Sequence, residues 1–154
     1  MALNDILAIP AVFPALRVSS KKQALQELAA RAAEILKRDE REIFETLNQR
    51  ERLGSTGVGH GIAIPHGKLP KIETLFGMFA RLEKPVDFEA LDGEPVDLVF
   101  LLLAPEAAGA DHLKALARVA RLLRDPEVAK KLRASRDAAS LHAILTGNAA
   151  SNAA

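Results

Sequence analysis

Two short stretches constrain the fold most. Leu75-Phe76-Gly77-Met78-Phe79-Ala80 and Val96-Asp97-Leu98-Val99-Phe100-Leu101-Leu102-Leu103 are almost unbroken in apolar character. A strand with one wet face alternates apolar and polar residues, whereas runs like these read as strands covered on both faces. Helices must therefore flank the sheet, and the rest of the chain supplies them. Ser19 and Ser20 offer N-caps for a helix to about Lys37, whose Leu25, Leu28, Ala29, Ala32, Ile35 and Leu36 share one stripe. Asp39 with Glu42 resembles a capping box for a second helix, with Ile43, Phe44 and Leu47 inward and Gly54 at its end. Asp111 is expected to cap a third from His112 to about Arg124, with Leu113, Leu116, Ala117, Ala120 and Leu123 inward. Asp125-Pro126 and Asp137 open two more, reaching about Ala134 and Leu145. Residues 3–7 suggest a helical turn, 11–18 an edge strand interrupted by Pro14, and 85–95 a connector.

The reading is an α/β fold, a mixed sheet between helices, in a single domain. At 154 residues and 49% hydrophobic content the chain has enough apolar surface for one core. The domain is placed at residues 1–146, with 147–154 small and polar enough to fray.

Charge and composition exclude several functions. With 21 basic and 20 acidic side chains interspersed, no Trp or Tyr and Phe confined to apolar runs, nothing argues for a nucleic-acid partner. Zero cysteines remove disulfides, thiolate metal sites and cysteine nucleophiles. No signal peptide is visible, and the longest strongly apolar run, Leu98 to Ala104, falls far short of the ~20 residues a spanning helix needs. A cytoplasmic protein without membrane insertion is expected.

Chemistry is suggested by Gly54-Ser55-Thr56-Gly57-Val58-Gly59-His60-Gly61-Ile62-Ala63-Ile64-Pro65-His66-Gly67, with five glycines in fourteen residues. Glycine lets backbone approach a ligand and proline fixes φ, so His66, between Pro65 and Gly67, reads as placed for a purpose. It is read as a nucleophile that carries a phosphoryl group. A nucleotide loop fits poorly, because His60-Gly61 stands where a P-loop needs Lys and Ser/Thr, and a helix precedes where a strand is required. A metal site also fits poorly, since His60 and His66 on extended chain would lie roughly 20 Å apart with no acidic or cysteine ligand nearby in sequence.

A phosphoryl-carrying imidazole needs one free ring nitrogen, donors for the phosphoryl oxygens and an open approach. His112, in the first turn of a helix, is a candidate donor, with a surface or capping residue as the plain alternative. Arg50 is a candidate for charge stabilisation, unless it merely pairs with Glu51 or Glu45 on a solvated face. Ser55, Thr56 and Gly67 are candidates for phosphoryl or loop support. His60 is read as a loop residue and His142 as structural.

The residues from Ser55 to Gly67, with the core Ile62-Ala63-Ile64-Pro65-His66, resemble the phosphorylation-site signature of the mannitol/fructose-type enzyme IIA of the bacterial phosphoenolpyruvate phosphotransferase system. Phe79-Ala80-Arg81-Leu82, Pro85-Val86-Asp87-Phe88, Asp92-Gly93-Glu94-Pro95-Val96 and Asp111-His112-Leu113-Lys114 are similar to its nitrogen-regulatory branch. The resemblance runs from about residue 3 to 145. It implies a mixed, mostly five-stranded sheet with helices on both faces and no cofactor. It also implies that His66 accepts phosphate, on Nε2, from an HPr-type phosphocarrier protein, with His112 contacting the phosphoryl group and Arg50 beside it. Regulatory members signal their phosphorylation state to target proteins such as transporters or sensors. Two alternatives stand beside this: a free-standing IIA that passes phosphate to a sugar-transport IIB domain, and a non-catalytic interaction module. An apolar rim for a partner is expected near Ile62, Ile64 and Leu69.

Overall fold

The computed structural model describes residues 2–147, so the tail expected to fray lies outside the described residues save Gly147. A single 3-10 turn at Leu3–Asp5 and another at Ile9–Ala11 lead into strand β1 (Val12–Leu16). Helices α1 (Lys21–Leu36) and α2 (Glu40–Leu53) follow, then short strands β2 (Gly57–Gly59), β3 (Ile62–Ala63) and β4 (His66–Leu69). Long strands β5 (Phe76–Val86) and β6 (Val96–Pro105) precede helices α3 (Ala110–Arg124), α4 (Pro126–Ala134) and α5 (Ala138–Thr146).

The strands form one mixed sheet in the order β1-β5-β6-β3-β2, with β4 also paired to β6. Ile62 lies opposite Leu98 and His66 opposite Leu102, both parallel, so β3 and β4 continue along β6 in one register. The lane is only interrupted at Ile64-Pro65, where the Leu102 N–H donates to the Pro65 carbonyl at 2.9 Å. Six strands thus occupy five lanes, and the expected five-stranded sheet gains a strand because a proline splits one of them. β1, carrying Pro14, sits at the sheet edge, where a missing N–H costs no ladder bond.

Every residue from Leu98 to Ala104 is buried, which requires cover on both faces of β6. One cover is α1 on α2, with α2 against β4; the other elements, α3, α4 and α5, pack on one another in sequence. Local signals start the helices: Ser20 accepts from the Gln23 N–H, Asp125 from Glu127 and Asp137 from Ser140. Asp39 caps α2 through the Arg41 N–H, but the reciprocal half of the expected capping box is absent. The Glu42 carboxylate instead takes the Arg38 guanidinium at 2.6 Å, because an ion pair outcompetes a single backbone donor.

α3 departs most from expectation. Gly109, not Asp111, is its N-cap, and the buried residues are His112, Ala115, Val119 and Leu123. Leu113, expected inward, is 66% exposed, and Ala117 is exposed too. The helix is turned so that an imidazole faces the sheet at the expense of a leucine, a breach of patterning found where function competes with packing.

Candidate functional site

The glycine-rich stretch resolves into a hairpin. Strands β2 and β3 pair antiparallel across His60-Gly61, whose φ angles of 57° and 78° are those of a two-residue type I′ turn. A Cβ on Gly61 would also stand 2.5 Å from Nη2 of Arg133, which donates to the His60 carbonyl at 2.8 Å and grips Asp97. Its glycine answers to backbone geometry and close packing.

The hairpin returns the chain to β6 and delivers His66 at the first position of β4, half-buried and opposite Leu102. Two hydrogen bonds settle its ring. Nδ1 lies 2.8 Å from the Ile64 carbonyl, and Nε2 lies 3.2 Å from Nε of Arg50. A carbonyl can only accept and a guanidinium can only donate, so Nδ1 carries the proton and Nε2 a lone pair. Burial first, and then the Arg50 charge, hold the ring below its ordinary pKa, against the Ile64 bond and Glu51, which act the other way. His66 is therefore a neutral imidazole with a nucleophilic Nε2.

Arg50 comes from the last turn of α2, where its Nη1 also donates to the Gly54 carbonyl at 2.8 Å. It pairs with neither Glu45 nor Glu51; its guanidinium bridges the helix end and the imidazole. His112 enters from the first turn of α3, its ring centroid 5.6 Å from that of His66 and tilted by 50°. Only 7% exposed, it has an Nδ1 that is buried without a hydrogen-bond partner among the described residues. Burial, then His66 and then Lys68, push its pKa down. Two imidazoles and one guanidinium thus converge on a site suited to a compact anion, and the Lys68 charge acts on the same His112 ring.

Ser55 and Thr56 do not face this site. The Ser55 hydroxyl donates to the Phe88 carbonyl and accepts from Gly57, while Thr56 is buried with its hydroxyl on Glu51. They brace the loop and leave no hydroxyl for a phosphoryl oxygen. Gly67 supports it differently: a Cβ there would lie 2.5 Å from Cγ2 of Thr46 on α2. Thr46 cannot rotate away cheaply, because it is β-branched and its hydroxyl is bonded to the Glu42 carbonyl. Gly67→Ala is expected to cost about 1–3 kcal/mol in chemical denaturation by overpacking α2 against β4. Adding Thr46→Ser, which removes Cγ2, should recover most of that loss; no recovery would mean the contact does not set the spacing.

His60 is exposed in its turn, and His142 is buried with Nε2 on the Leu7 carbonyl at 2.8 Å. Ile62, Ile64 and Leu69 are 1%, 4% and 0% exposed, so the expected apolar rim does not exist there. All three lie in the core; the exposed leucines nearest the site residues in the chain are Leu113, next to His112, and Leu53, three residues beyond Arg50. Among the described residues, no three potential metal ligands come together and no helix is long and apolar enough to cross a membrane.

Sequence reasoning met Glu51 only as a solvated partner for Arg50, whereas its side chain is 4% exposed. A signal existed, since Ile43, Leu47 and Glu51 are spaced by four and share the inward stripe of α2.

Known proteins resemble this chain over almost its full length. A nitrogen regulatory protein of Bradyrhizobium diazoefficiens is 68% identical over 145 residues, 94% of this chain and 95% of that protein. The nitrogen regulatory protein of Escherichia coli K12 is 40% identical, covering 95% of this chain and 90% of its own. The crystal structure of nitrogen regulatory protein IIA-Ntr from Neisseria meningitidis superposes with a TM-score of 0.89 at 36% identity, over 94% of this chain and 99% of that one. The IIA mannitol structure of Escherichia coli shares the fold, with a TM-score of 0.76 at 18% identity, over 90% of this chain and 98% of that one. Residues 5–148 match the family described as phosphoenolpyruvate-dependent sugar phosphotransferase system, EIIA 2. With that span and those relatives, the chain belongs to the EIIA 2 family of the phosphoenolpyruvate-dependent sugar phosphotransferase system.

Proposed function

We propose that this protein accepts a phosphoryl group on Nε2 of His66 from a histidine-phosphorylated carrier of the HPr type, and that partner proteins read its phosphorylation state. The observation that carries this reading is the pair of bonds on the His66 ring, which leaves Nε2 as a lone pair beside a guanidinium. Nitrogen regulatory relatives at 68% and 40% identity favour the regulatory role over sugar transport, in the cytoplasm where such a carrier would be met.

In the step, the Nε2 lone pair attacks phosphorus in line, the bond to the carrier's ring nitrogen breaks, and that electron pair returns to the carrier's imidazole. Arg50 moves from Nε2 to a phosphoryl oxygen, so the charge that guards the resting lone pair stabilises the group that replaces it. The Ile64 carbonyl keeps Nδ1–H and supports the positive charge that builds on the ring. No cofactor takes part. The catalytic contribution is position and charge.

His112 gains the partner it lacks. A phosphoryl group brings roughly −1.5 to −2 charges next to it, which favours its protonated, donating form. Its pKa is expected to rise on phosphorylation, read by NMR titration of the ring protons. An unchanged titration would remove His112 from the phosphoryl contact.

The test of the reading is incubation with phosphoenolpyruvate, enzyme I and an HPr-type carrier. Label that enters the protein and is lost in acid supports a phosphohistidine, whereas no label, or an acid-stable one, overturns it. Adding a mannitol/fructose-type IIB domain then separates the roles: retained label fits a regulator, and rapid passage to IIB fits sugar transport.

A further inference from the structure

The ring of His66 is aligned by a chain of bonds that begins well away from it. Glu51, in the last turn of α2, turns its carboxylate inward, where one oxygen accepts from the Thr56 hydroxyl at 2.6 Å. The other accepts from the Thr56 N–H at 3.0 Å and from Nζ of Lys21 at 3.3 Å. Lys21 is itself held by Glu89 at 2.9 Å. The Thr56 carbonyl in turn accepts the Ile64 N–H at 2.9 Å, and the Ile64 carbonyl takes Nδ1–H of His66 at 2.8 Å. On the other side of Ile64, Pro65 offers no N–H and is fixed only through its carbonyl.

From this we infer that Glu51 is a positioning residue for His66: acting through Thr56 and Ile64, it holds the ring as the Nδ1–H tautomer with Nε2 free to attack. The significance of the inference rests on the reading of His66 as phosphoryl acceptor; the alignment does not. A carboxylate that clamps both polar groups of one residue fixes the Thr56 peptide plane, and hence the direction of its carbonyl. That carbonyl sets the Ile64 peptide, whose own carbonyl decides which ring nitrogen keeps the proton. With the clamp released, the Ile64 carbonyl drifts from Nδ1. The ring then shares its proton with Nε2, and that fraction of molecules cannot react. Glu51 also neighbours Arg50 in sequence, so a single helical turn supplies the group that faces Nε2 and the anchor that fixes Nδ1.

The tautomer is readable in the unphosphorylated protein from imidazole ¹⁵N chemical shifts. In the unsubstituted chain, Nε2 of His66 should show the shift of a lone-pair nitrogen and Nδ1 that of an N–H. In Glu51→Gln, which keeps the shape and loses one acceptor, the two shifts should move toward each other. The rate of phosphoryl acceptance should fall by about ten- to a hundredfold with little change in the carrier concentration at half-saturation. A folded Glu51→Gln protein with unmoved ring shifts would overturn the inference and assign Glu51 to stability alone. If that variant does not fold, Thr56→Val carries the test: a smaller movement in the same direction supports the relay, and none overturns it. Moved ring shifts in a protein whose unsubstituted form takes no phosphoryl group would instead leave the relay standing and sink the proposed function.

Discussion

The His66→Ala protein is expected to take up no acid-labile phosphoryl group from phosphoenolpyruvate, enzyme I and an HPr-type carrier, under conditions that label the unsubstituted chain fully. The loss should be complete because no other imidazole meets the requirements. His142 is buried with a ring nitrogen committed to the Leu7 carbonyl, and His60 is exposed on a hairpin turn with no guanidinium on its ring. His112 is close but 7% exposed, too enclosed for a docked carrier to reach in line. The folded state should survive, since His66 is half-buried and its side chain makes two hydrogen bonds, each worth about 0.5–1.5 kcal/mol net. Residual labelling at the unsubstituted rate, in a protein with unchanged circular dichroism, would move the acceptor elsewhere.

Arg50→Ala is expected to slow phosphoryl transfer by roughly 30- to 150-fold, the net of losing one charge-stabilising donor to a developing anion and freeing the lone pair it covers. Two effects compete. Removing the guanidinium frees the Nε2 lone pair from a resting hydrogen bond worth about 1 kcal/mol, which favours attack. It also removes transition-state stabilisation worth roughly 3–4 kcal/mol, so the loss wins. Lysine should rescue poorly, because it cannot span His66 Nε2 and the Gly54 carbonyl from one planar group. The pH profile gives an independent sign. His66 titrates below the ordinary imidazole value of 6.5, so in the unsubstituted chain the rate should hold as pH falls through that value and decline only below it. Arg50 is one of the causes of that depression, so in Arg50→Ala the decline should begin at higher pH. A profile shifted to lower pH, or a rate within threefold of normal, would contradict the role.

These expectations show what the sequence could and could not reveal. Unbroken apolar runs disclosed β5 and β6, and helix caps such as Ser20 and Asp125 were legible because each rests on contacts within a few residues. The Pro65-His66-Gly67 triplet marked the site for a similar reason: Pro65 interrupts the lane along β6 and Gly67 admits Thr46. What stayed hidden depended on rotation and distance. Counting leucines on α3 put Leu113 inward, whereas the helix spends that face on His112, a choice made by the site and not by local hydrophobicity. Ile62, Ile64 and Leu69 looked like a docking rim only while their partners across the sheet were unknown. Ser55 and Thr56 carried the right chemistry for a phosphoryl contact and were claimed by Phe88 and Glu51 instead. Their hydroxyls illustrate that residue type alone does not give direction.

The resting geometry also explains how one residue can be both guarded and reactive. Arg50 lowers the basicity of Nε2 and covers it, and on the proposed function the guanidinium would exchange that contact for an incoming phosphoryl group. On the same proposal His112, whose Nδ1 is buried without a partner among the described residues, would take the second contact. An unpaired buried polar atom costs on the order of 1–3 kcal/mol, a cost that the incoming phosphoryl group can relieve.

Phosphorus-31 and ¹⁵N NMR on protein phosphorylated with ring-labelled histidine test the central claim most directly, because phosphorus–nitrogen coupling names the atom that bears the phosphoryl group. Coupling to Nε2 of His66, with Nδ1 still bearing its proton, is the predicted result. Coupling to Nδ1, or to any other ring, would contradict the account.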